Sequence, residues 1–508
     1  KGEIPRNRGE DNRIPFAWTY RDYVIRAFND DKPYDQFIRE QIAADRIVGD
    51  KDDDKGALAA MGFLTLGQRF NNSQNDIIND RIDVVTKGFM GLTVTCARCH
   101  DHKFDPIPTA DYYSMHGIFS SSREPEDAVI IANMSKLTNS PLYSDYKAKA
   151  KVLDTQIEAQ EEAIKQMRRN KATNKDLQAA RRQLGTYEGL RVQLDMTHPS
   201  APDRAMVMED KPRPADSPIF IRGEANSKGR IVPRAFIEVL SGPDSKPFRD
   251  GSGRLELANS IASKDNPLTA RVMINRIWQH HFGEGFVSTP DDFGNQSAPP
   301  SHPDLLDYLA TRFMQEGWSM KKIHRLILMS NTYQESSETN DQYAQIDPYN
   351  RLLWRANVRR LEFEALRDTM LFLSRKLDTR LYGRPVDLTT EPYSLRRSVY
   401  GYIDRANLAE IFTQFDFASP EMTTGKRYDT IVPQQSLYMM NSSLVVEAAR
   451  HLLDRSEFRK QTDEKSRVNA LFELVYNRPA TDKEIELSLK FVAAAPKLTT
   501  VENTAVKV

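Results

Sequence analysis

The stretch Cys96-Ala97-Arg98-Cys99-His100 organises this chain, and Asp101-His102-Lys103-Phe104-Asp105-Pro106-Ile107-Pro108 follows it directly. Its two cysteines are the only ones among 508 residues, and a histidine comes immediately after the second. Covalent attachment of a c-type haem requires this arrangement, because each thiol adds across a haem vinyl group and the adjacent imidazole reaches the iron. The motif therefore predicts haem c attached at Cys96 and Cys99, with His100 as the iron ligand.

Two other sites could use paired cysteines. A zinc site would need two further ligands, and these would have to be His102 and His116. The resulting C-x2-C-x2-H-x13-H pattern is unlike common zinc-finger spacings. A thioredoxin-like redox dithiol would require a strand before a helix, whereas the residues before Cys96 have helical spacing.

The segment before the motif predicts a helix that runs into it. Apolar residues three or four apart share one face, and this stripe leads to Cys96: Ile82, Val85, Phe89, Leu92. Cys96 is therefore expected on the buried stripe. Gly88 and Gly91 weaken a helix interior, which is tolerated where a bulky group approaches closely. That group would be either a porphyrin face or a second helix.

Side chains beside the motif are candidates for haem contacts. His102 lies two residues from the predicted ligand, so it suits a supporting or propionate contact rather than the opposite face of the iron. Arg98 and Lys103 are expected to pair with the propionates.

The distal iron ligand is left open by the sequence. The candidates are Met115 and His116 close to the motif, His280 and His281 in the C-terminal half, or no protein ligand. A Met or His ligand favours electron transfer, whereas an open position permits small-molecule or peroxide chemistry.

Composition and patterning predict a mainly α-helical protein. Lys plus Arg equals Asp plus Glu at 71 each, which gives no global charge favouring nucleic acid or a membrane surface. No apolar run approaches the ~20 residues that cross a bilayer. We predict a helical haem-binding domain at 1–125, a helical hairpin arm at 126–198, an irregular linker with short strands at 199–253 and a larger helical domain with minor β structure at 254–508. Within these, 219–222, 235–240 and 398–403 are predicted strands.

Several runs resemble one family. Four runs are similar to the planctomycete-type cytochrome c domain: 91–108 (GLTVTCARCHDHKFDPIP), 111–113, 20–24 (YRDYV) and 31–37 (DKPYDQF). Six further runs are similar to the planctomycete-specific domain that follows it: 266–272 (NPLTARV), 275–283 (NRIWQHHFG), 290–294 (PDDFG), 300–303 (PSHP), 396–400 (RRSVY) and 432–437 (VPQQSL).

The resemblance implies a periplasmic or secreted haem c protein, because c-type maturation in bacteria takes place outside the cytoplasmic membrane. Relatives often carry a signal peptide and another cytochrome domain upstream, and the chain is expected to begin inside the first domain. Relatives are commonly encoded near secreted sulfatase-like proteins, which suggests polysaccharide use and a redox partner that is sulfatase-like or another cytochrome. His280 and His281 match the family pattern, whereas Met115 and His116 fall where relatives tend to differ.

Three functions are consistent with these observations. The first is electron transfer by an extracytoplasmic c-type cytochrome. The second is a haem oxidoreductase with an open distal site that acts on a carbohydrate or peroxide, with His280 or His281 as acid or base. The third is an interaction scaffold in which the haem staples a small core and the arm recruits partners.

Overall fold

The computed structural model describes residues 15–49, 55–125, 127–242, 246–405 and 407–494. These residues are mainly helical with a few short strands, which confirms the predicted fold class. The ends of the first and last predicted domains, 1–14 and 495–508, lie outside the described residues. The predicted domain boundaries stay predictions.

The N-terminal region consists of short helices around the motif segment. Its α-helices are α1 (Ala17–Asn29), α2 (Tyr34–Ile47), α3 (Gly62–Thr65), α4 (Gln74–Val85) and α5 (Thr109–Ser120). They form because apolar residues recur at helical spacing and become buried, as Tyr23 and Ala27 do on α1 and Ile38 and Ile42 on α2. The last of these helices is nearly all buried.

The predicted helical arm is present. After the short helix α6 (Met134–Leu137), α7 (Pro141–Arg169) and α8 (Asn174–Thr197) run antiparallel and pack chiefly against each other. The Thr173 hydroxyl caps the second arm helix by accepting a hydrogen bond from the Asp176 N–H at 3.2 Å.

The linker takes part in three antiparallel strand pairs, one with the end of the first region, one with the segment before the arm and one within itself. The strands are β1 (Ser122–Arg123), β2 (Val129–Ile130), β3 (Arg204–Ala205), β4 (Glu209–Asp210), β5 (Ser217–Phe220) and β6 (Lys228–Val232), paired as β1–β4, β2–β3 and β5–β6. The predicted strand at 235–240 is wrong. Its end is a 3-10 turn, Glu238–Leu240, whose first N–H donates to the Asp111 carboxylate at 3.0 Å instead of to a strand.

The C-terminal region is helical as predicted. Its helices are α9 (Arg254–Ile261), α10 (Thr269–Phe282), α11 (Pro303–Gln315), α12 (Met320–Leu328), α13 (Asp341–Ile346), α14 (Phe363–Leu373), α15 (Glu410–Gln414), α16 (Pro433–Asn441), α17 (Ser443–Leu453), α18 (Ser456–Arg459), α19 (Glu464–Tyr476) and α20 (Asp482–Ala494). Of the predicted strand at 398–403, Ser398–Tyr400 is instead a 3-10 turn, whose Ser398 N–H and hydroxyl donate to Asp368 at 2.8 and 2.7 Å. Gly401 forms an isolated parallel bridge with Val386.

One hydrophobic core joins the N-terminal region, the linker and the first C-terminal helices. It extends from Tyr23 to Ile327, and a second, smaller core forms around Phe363 and Phe412. At the junction, the fully buried Arg254 side chain pairs with Asp45 at 2.7 Å and with Asp210 at 2.8 Å. The motif segment is thus part of a core shared with the C-terminal region.

Candidate functional site

The motif lies on a separate turn, not at the end of the preceding helix. The chain continues from α4 through a π turn at Thr86–Met90 and reverses at Gly91, which has a left-handed backbone with φ 61°. A 3-10 turn, Val94–Arg98, then carries the first cysteine. Because the chain reverses at Gly91, the residues after it do not continue the apolar face of α4, and Cys96 is exposed. The prediction that it lies on the buried stripe is therefore wrong.

The glycine at the reversal makes room for protein packing. A Cβ atom at Gly91 would lie 2.9 Å from a ring carbon of Phe293, and the Phe293 N–H donates to the Gly91 carbonyl at 2.7 Å. A side chain at Gly88 would meet Phe63 at 3.3 Å. Of the two explanations for these glycines, the structure favours close packing of protein side chains.

The three motif residues expected to bind haem are accessible. Cys96, Cys99 and His100 are all exposed. The His100 Nδ1 atom lies 2.7 Å from the backbone oxygen of Asp101. Because a carbonyl oxygen only accepts, this hydrogen bond places a proton on Nδ1, and in the neutral ring the lone pair of Nε2 is then available to a metal.

The second cysteine packs against the linker, a contact that the sequence did not reveal. A Cβ atom at Gly223, in the 3-10 turn Ile221–Gly223, would lie only 2.7 Å from the Cys99 Sγ atom. The Gly223 backbone is also left-handed, with φ 76°. Glycine at this position therefore permits the turn to lie against the thiol.

Arg98 and Lys103 make contacts within the protein. The Arg98 guanidinium pairs with Asp76 at 2.9 Å, and the Ser73 hydroxyl and this guanidinium hold the pKa of Asp76 below its usual range. The Arg98 carbonyl accepts a hydrogen bond from the Tyr113 hydroxyl at 2.9 Å. The Lys103 ammonium lies over the Phe104 ring, 4.9 Å from its centroid. The predicted propionate contacts of Arg98 and Lys103 stay predictions.

His102 forms hydrogen bonds that stabilise the loop that follows the motif. Its Nδ1 accepts the Asp105 N–H at 2.8 Å, and its Nε2 lies 3.2 Å from the Thr93 hydroxyl. Asp105 in turn accepts the Asn295 N–H at 2.7 Å, so the loop is joined to the C-terminal region. Both ring nitrogens of His102 have protein partners, which suits a supporting role.

Three of the four candidate distal ligands are engaged elsewhere. Met115 is fully buried in the core. The buried His116 bonds to the Ser217 hydroxyl at 2.9 Å, and burial, helped by nearby Arg98, lowers its pKa to about 4. His281 Nε2 lies 2.8 Å from His324 Nδ1, and burial lowers the pKa of both imidazoles. The side chain of the fourth candidate, His280, is exposed.

The zinc alternative gains no support from this arrangement. His102 and His116, its two required histidines, bond to different parts of the fold. Across the described ranges, no three His, Cys, Asp or Glu side chains converge as a metal-binding group.

None of the described helices combines the length and apolarity needed to cross a bilayer.

A cleft of about 860 Å³ adjoins His280 in the C-terminal region. Three of the arginines that line it bind protein groups. Arg359 donates to the His280 carbonyl at 2.9 Å, Arg360 donates to Gln435 and to the Thr430 carbonyl, and Arg427 pairs with Glu364 at 2.7 Å. Of these three arginines, only Arg427 is paired with a carboxylate, because Arg359 and Arg360 bind neutral oxygens.

Two regions of the chain are similar to known protein families. Residues 4–124 match the family model described as PSCyt2, protein of unknown function (DUF1549), and residues 253–492 match PSD1, protein of unknown function (DUF1553). No curated protein and no solved structure matches the chain. These two regions of the chain are therefore similar to the planctomycete-type N-terminal and C-terminal domains that the two models describe.

Proposed function

We propose that this chain is an extracytoplasmic c-type haem protein that transfers electrons, with haem joined to Cys96 and Cys99 and His100 as an axial ligand. The observation that carries the proposal is the 2.7 Å contact of His100 Nδ1 with the Asp101 carbonyl, a hydrogen bond that requires the proton on Nδ1. This leaves Nε2 free beside two exposed thiols. The donor set therefore fits a covalently attached haem.

Bound haem c would supply a one-electron iron couple. The chain's own residues hold the attachment segment in place. The Asp101 carbonyl orients the His100 ring through its contact with Nδ1. The ion pair of Arg98 with Asp76 and the hydrogen bond from Tyr113 fix the end of the cysteine turn. His102 fixes the loop beyond it.

The proposed location follows from the same chemistry, and the proposed partner is the one that the family resemblance implies. Bacterial c-type haem is attached outside the cytoplasmic membrane, so we propose a periplasmic or secreted protein. Its electrons would pass to or from a redox partner protein, either another cytochrome or a sulfatase-like protein associated with polysaccharide use.

A second candidate function is a haem oxidoreductase with an open distal site, acting on a carbohydrate or peroxide. It is favoured by the engagement of Met115, His116 and His281 in the core or in other hydrogen bonds. A distal position without a protein ligand would accept small molecules.

Carbon monoxide titration separates the two functions. The full chain is produced with the cytochrome c maturation machinery, reduced, and titrated while its visible spectrum is recorded. An unchanged spectrum indicates six-coordinate iron and supports the carrier. A saturable change with one site per chain supports the oxidoreductase. His100→Ala should alter the spectrum, whereas His451→Ala, a histidine on the surface of α17, should leave it unchanged.

A further inference from the structure

The helical arm separates its charges along its length. Residues 165–182, at the turn between α7 and α8, include seven Lys or Arg residues and one acidic residue. The remainder of the arm, 141–164 and 183–197, has four Lys or Arg residues and seven acidic ones. The chain as a whole is neutral, so this concentration of positive charge is a local property. We refer to residues 165–182 as the arm tip.

The cationic side chains of the arm tip are exposed and almost entirely unpaired. All seven are in contact with solvent: Lys165, Arg168, Arg169, Lys171, Lys175, Arg181, Arg182. Lys165 lies 3.8 Å from the exposed Glu162, and the other six form no ion pair with another described residue. The one acidic residue, Asp176, accepts a hydrogen bond from the Thr173 hydroxyl at 2.6 Å as part of the helix cap. The positive potential of the tip is therefore not neutralised by its own side chains.

Side-chain contacts join the two arm helices at the base of the arm, far from the arm tip. Tyr146 donates to Asp195 at 2.7 Å, Arg191 donates to Asp154 at 2.7 Å, and His198 lies 3.0 Å from Asp145. These contacts join the two helices where the arm begins. With a rise of about 1.5 Å per residue, the second arm helix extends roughly 36 Å from this base.

We propose that the arm tip binds the surface of an anionic lipid bilayer. Clusters of four to eight Lys or Arg residues attract anionic headgroups, and each cation near such a surface strengthens binding by about fivefold. The cations occur on both helices and on the turn, so a plane across the end of the arm would bring most of them within about one Debye length. A linear polyanion would meet only one side of this end.

The apolar and aromatic content of the tip favours an electrostatic contact at the headgroups. No Phe, Trp or Tyr occurs between 165 and 182, so the tip offers no stacking surface for single-stranded nucleic acid. Met167 and Leu177 are half-buried on the arm. The tip therefore has cations to offer a lipid surface and little apolar surface to insert into it.

Vesicle co-sedimentation of the full chain tests this proposal. Phosphatidylcholine vesicles are compared with vesicles in which roughly a third of the lipid is phosphatidylglycerol, at low and at high salt. We expect binding to the anionic vesicles that falls steeply with salt, and none to the neutral ones. R168E/R169E/R181E/R182E should weaken binding at least about 100-fold.

The matched control is K147E/K151E/R213E/K264E, which changes net charge equally at exposed positions outside the tip. It should bind within about twofold of the unmodified chain, and both variants should keep its helical circular dichroism and melting temperature. Equal loss of binding in the two variants would overturn the proposal, because net charge alone would then explain it. So would binding to duplex DNA or a soluble acidic polysaccharide at the same salt without binding to anionic vesicles. The haem proposal is unaffected by either result, since the tip contains none of its residues.

Discussion

The sulphur of Cys99 occupies the space that a side chain at Gly223 would need. A Cβ atom there would lie 2.7 Å from Sγ, in a backbone with φ 76°. The contact joins one predicted haem-attaching thiol to a turn of the linker, 124 positions further along the chain. The geometry of the cysteine segment therefore depends on a residue that belongs to neither matched family region.

Gly223→Ala is expected to disturb this segment. The added methyl group meets the sulphur, and the left-handed backbone disfavours any L side chain, so we expect a loss of about 1–3 kcal/mol in the free energy of unfolding. We also expect faster reaction of Cys99 with a thiol reagent in the haem-free chain. Urea unfolding and mass-resolved thiol labelling measure both effects.

The control for this substitution is Gly185→Ala on the second arm helix. A Cβ at Gly185 meets nothing within 4 Å, so the change should stabilise the helix by about 0.5–1 kcal/mol. Unchanged stability and thiol reactivity in Gly223→Ala would contradict the packing described for Cys99.

Arg254→Met tests the ion pairs that join the three regions. The substitution removes the guanidinium from between Asp45 and Asp210 and leaves their carboxylates without it. Losing one partner of a buried ion pair costs about 3–5 kcal/mol, so urea unfolding should shift to much lower denaturant. The exposed Arg213→Met should change stability by less than about 0.5 kcal/mol. Similar midpoints for the two variants would rule out a structural role for the Arg254 pairs.

Asp111→Asn is expected to change how stability depends on pH. Burial raises the pKa of Asp111 to about 6, although the hydrogen bond from the Glu238 N–H opposes this shift. Its folded pKa exceeds the unfolded value of about 3.9, so its stabilising contribution is complete below that pH and is lost as pH rises through 6. Asparagine keeps the acceptor without ionising. We expect Asp111→Asn to be more stable by on the order of 1–2 kcal/mol at pH 7.5, and the gain to vanish near pH 4. An equal difference at both pH values would count against this assignment.

His116→Gln should have the opposite dependence. Burial, with a smaller contribution from Arg98, lowers the pKa of His116 to about 4. The neutral ring therefore contributes stability above the unfolded pKa of about 6.5, and this contribution is lost as pH falls towards 4. Glutamine cannot ionise, so the unmodified chain should lose on the order of 2 kcal/mol more than His116→Gln between pH 7 and 4.5. Parallel stability curves for the two proteins would show that His116 titrates normally.

Local sequence patterns predicted the helices and the arm, since those depend on residues three or four apart. Non-local contacts explain what the patterns missed. The face occupied by Cys96 depends on the reversal at Gly91, which packs against Phe293 from the C-terminal region. The strand predicted at 398–403 begins instead with a 3-10 turn, in which Asp368 takes the hydrogen bonds of Ser398, and only Gly401 pairs as an isolated bridge.

The sequence revealed the motif itself, but not the contacts that the neighbouring histidines make. His102 and His116 are both histidines near the cysteines, and only their partners distinguish them. His102 accepts a backbone N–H from Asp105 in a loop, whereas His116 bonds to Ser217 of the linker. No spacing rule within the motif could have predicted a partner about 100 positions away.

Intact mass under denaturing conditions tests covalent haem attachment most directly. The full chain is expressed with the cytochrome c maturation machinery and directed outside the cytoplasmic membrane, and its pyridine haemochrome spectrum is recorded in parallel. We expect one haem adduct per chain that survives denaturation and is absent from Cys96→Ser/Cys99→Ser. Recovery of the folded chain at the mass of its polypeptide alone, without a haemochrome spectrum, would contradict haem attachment at this motif.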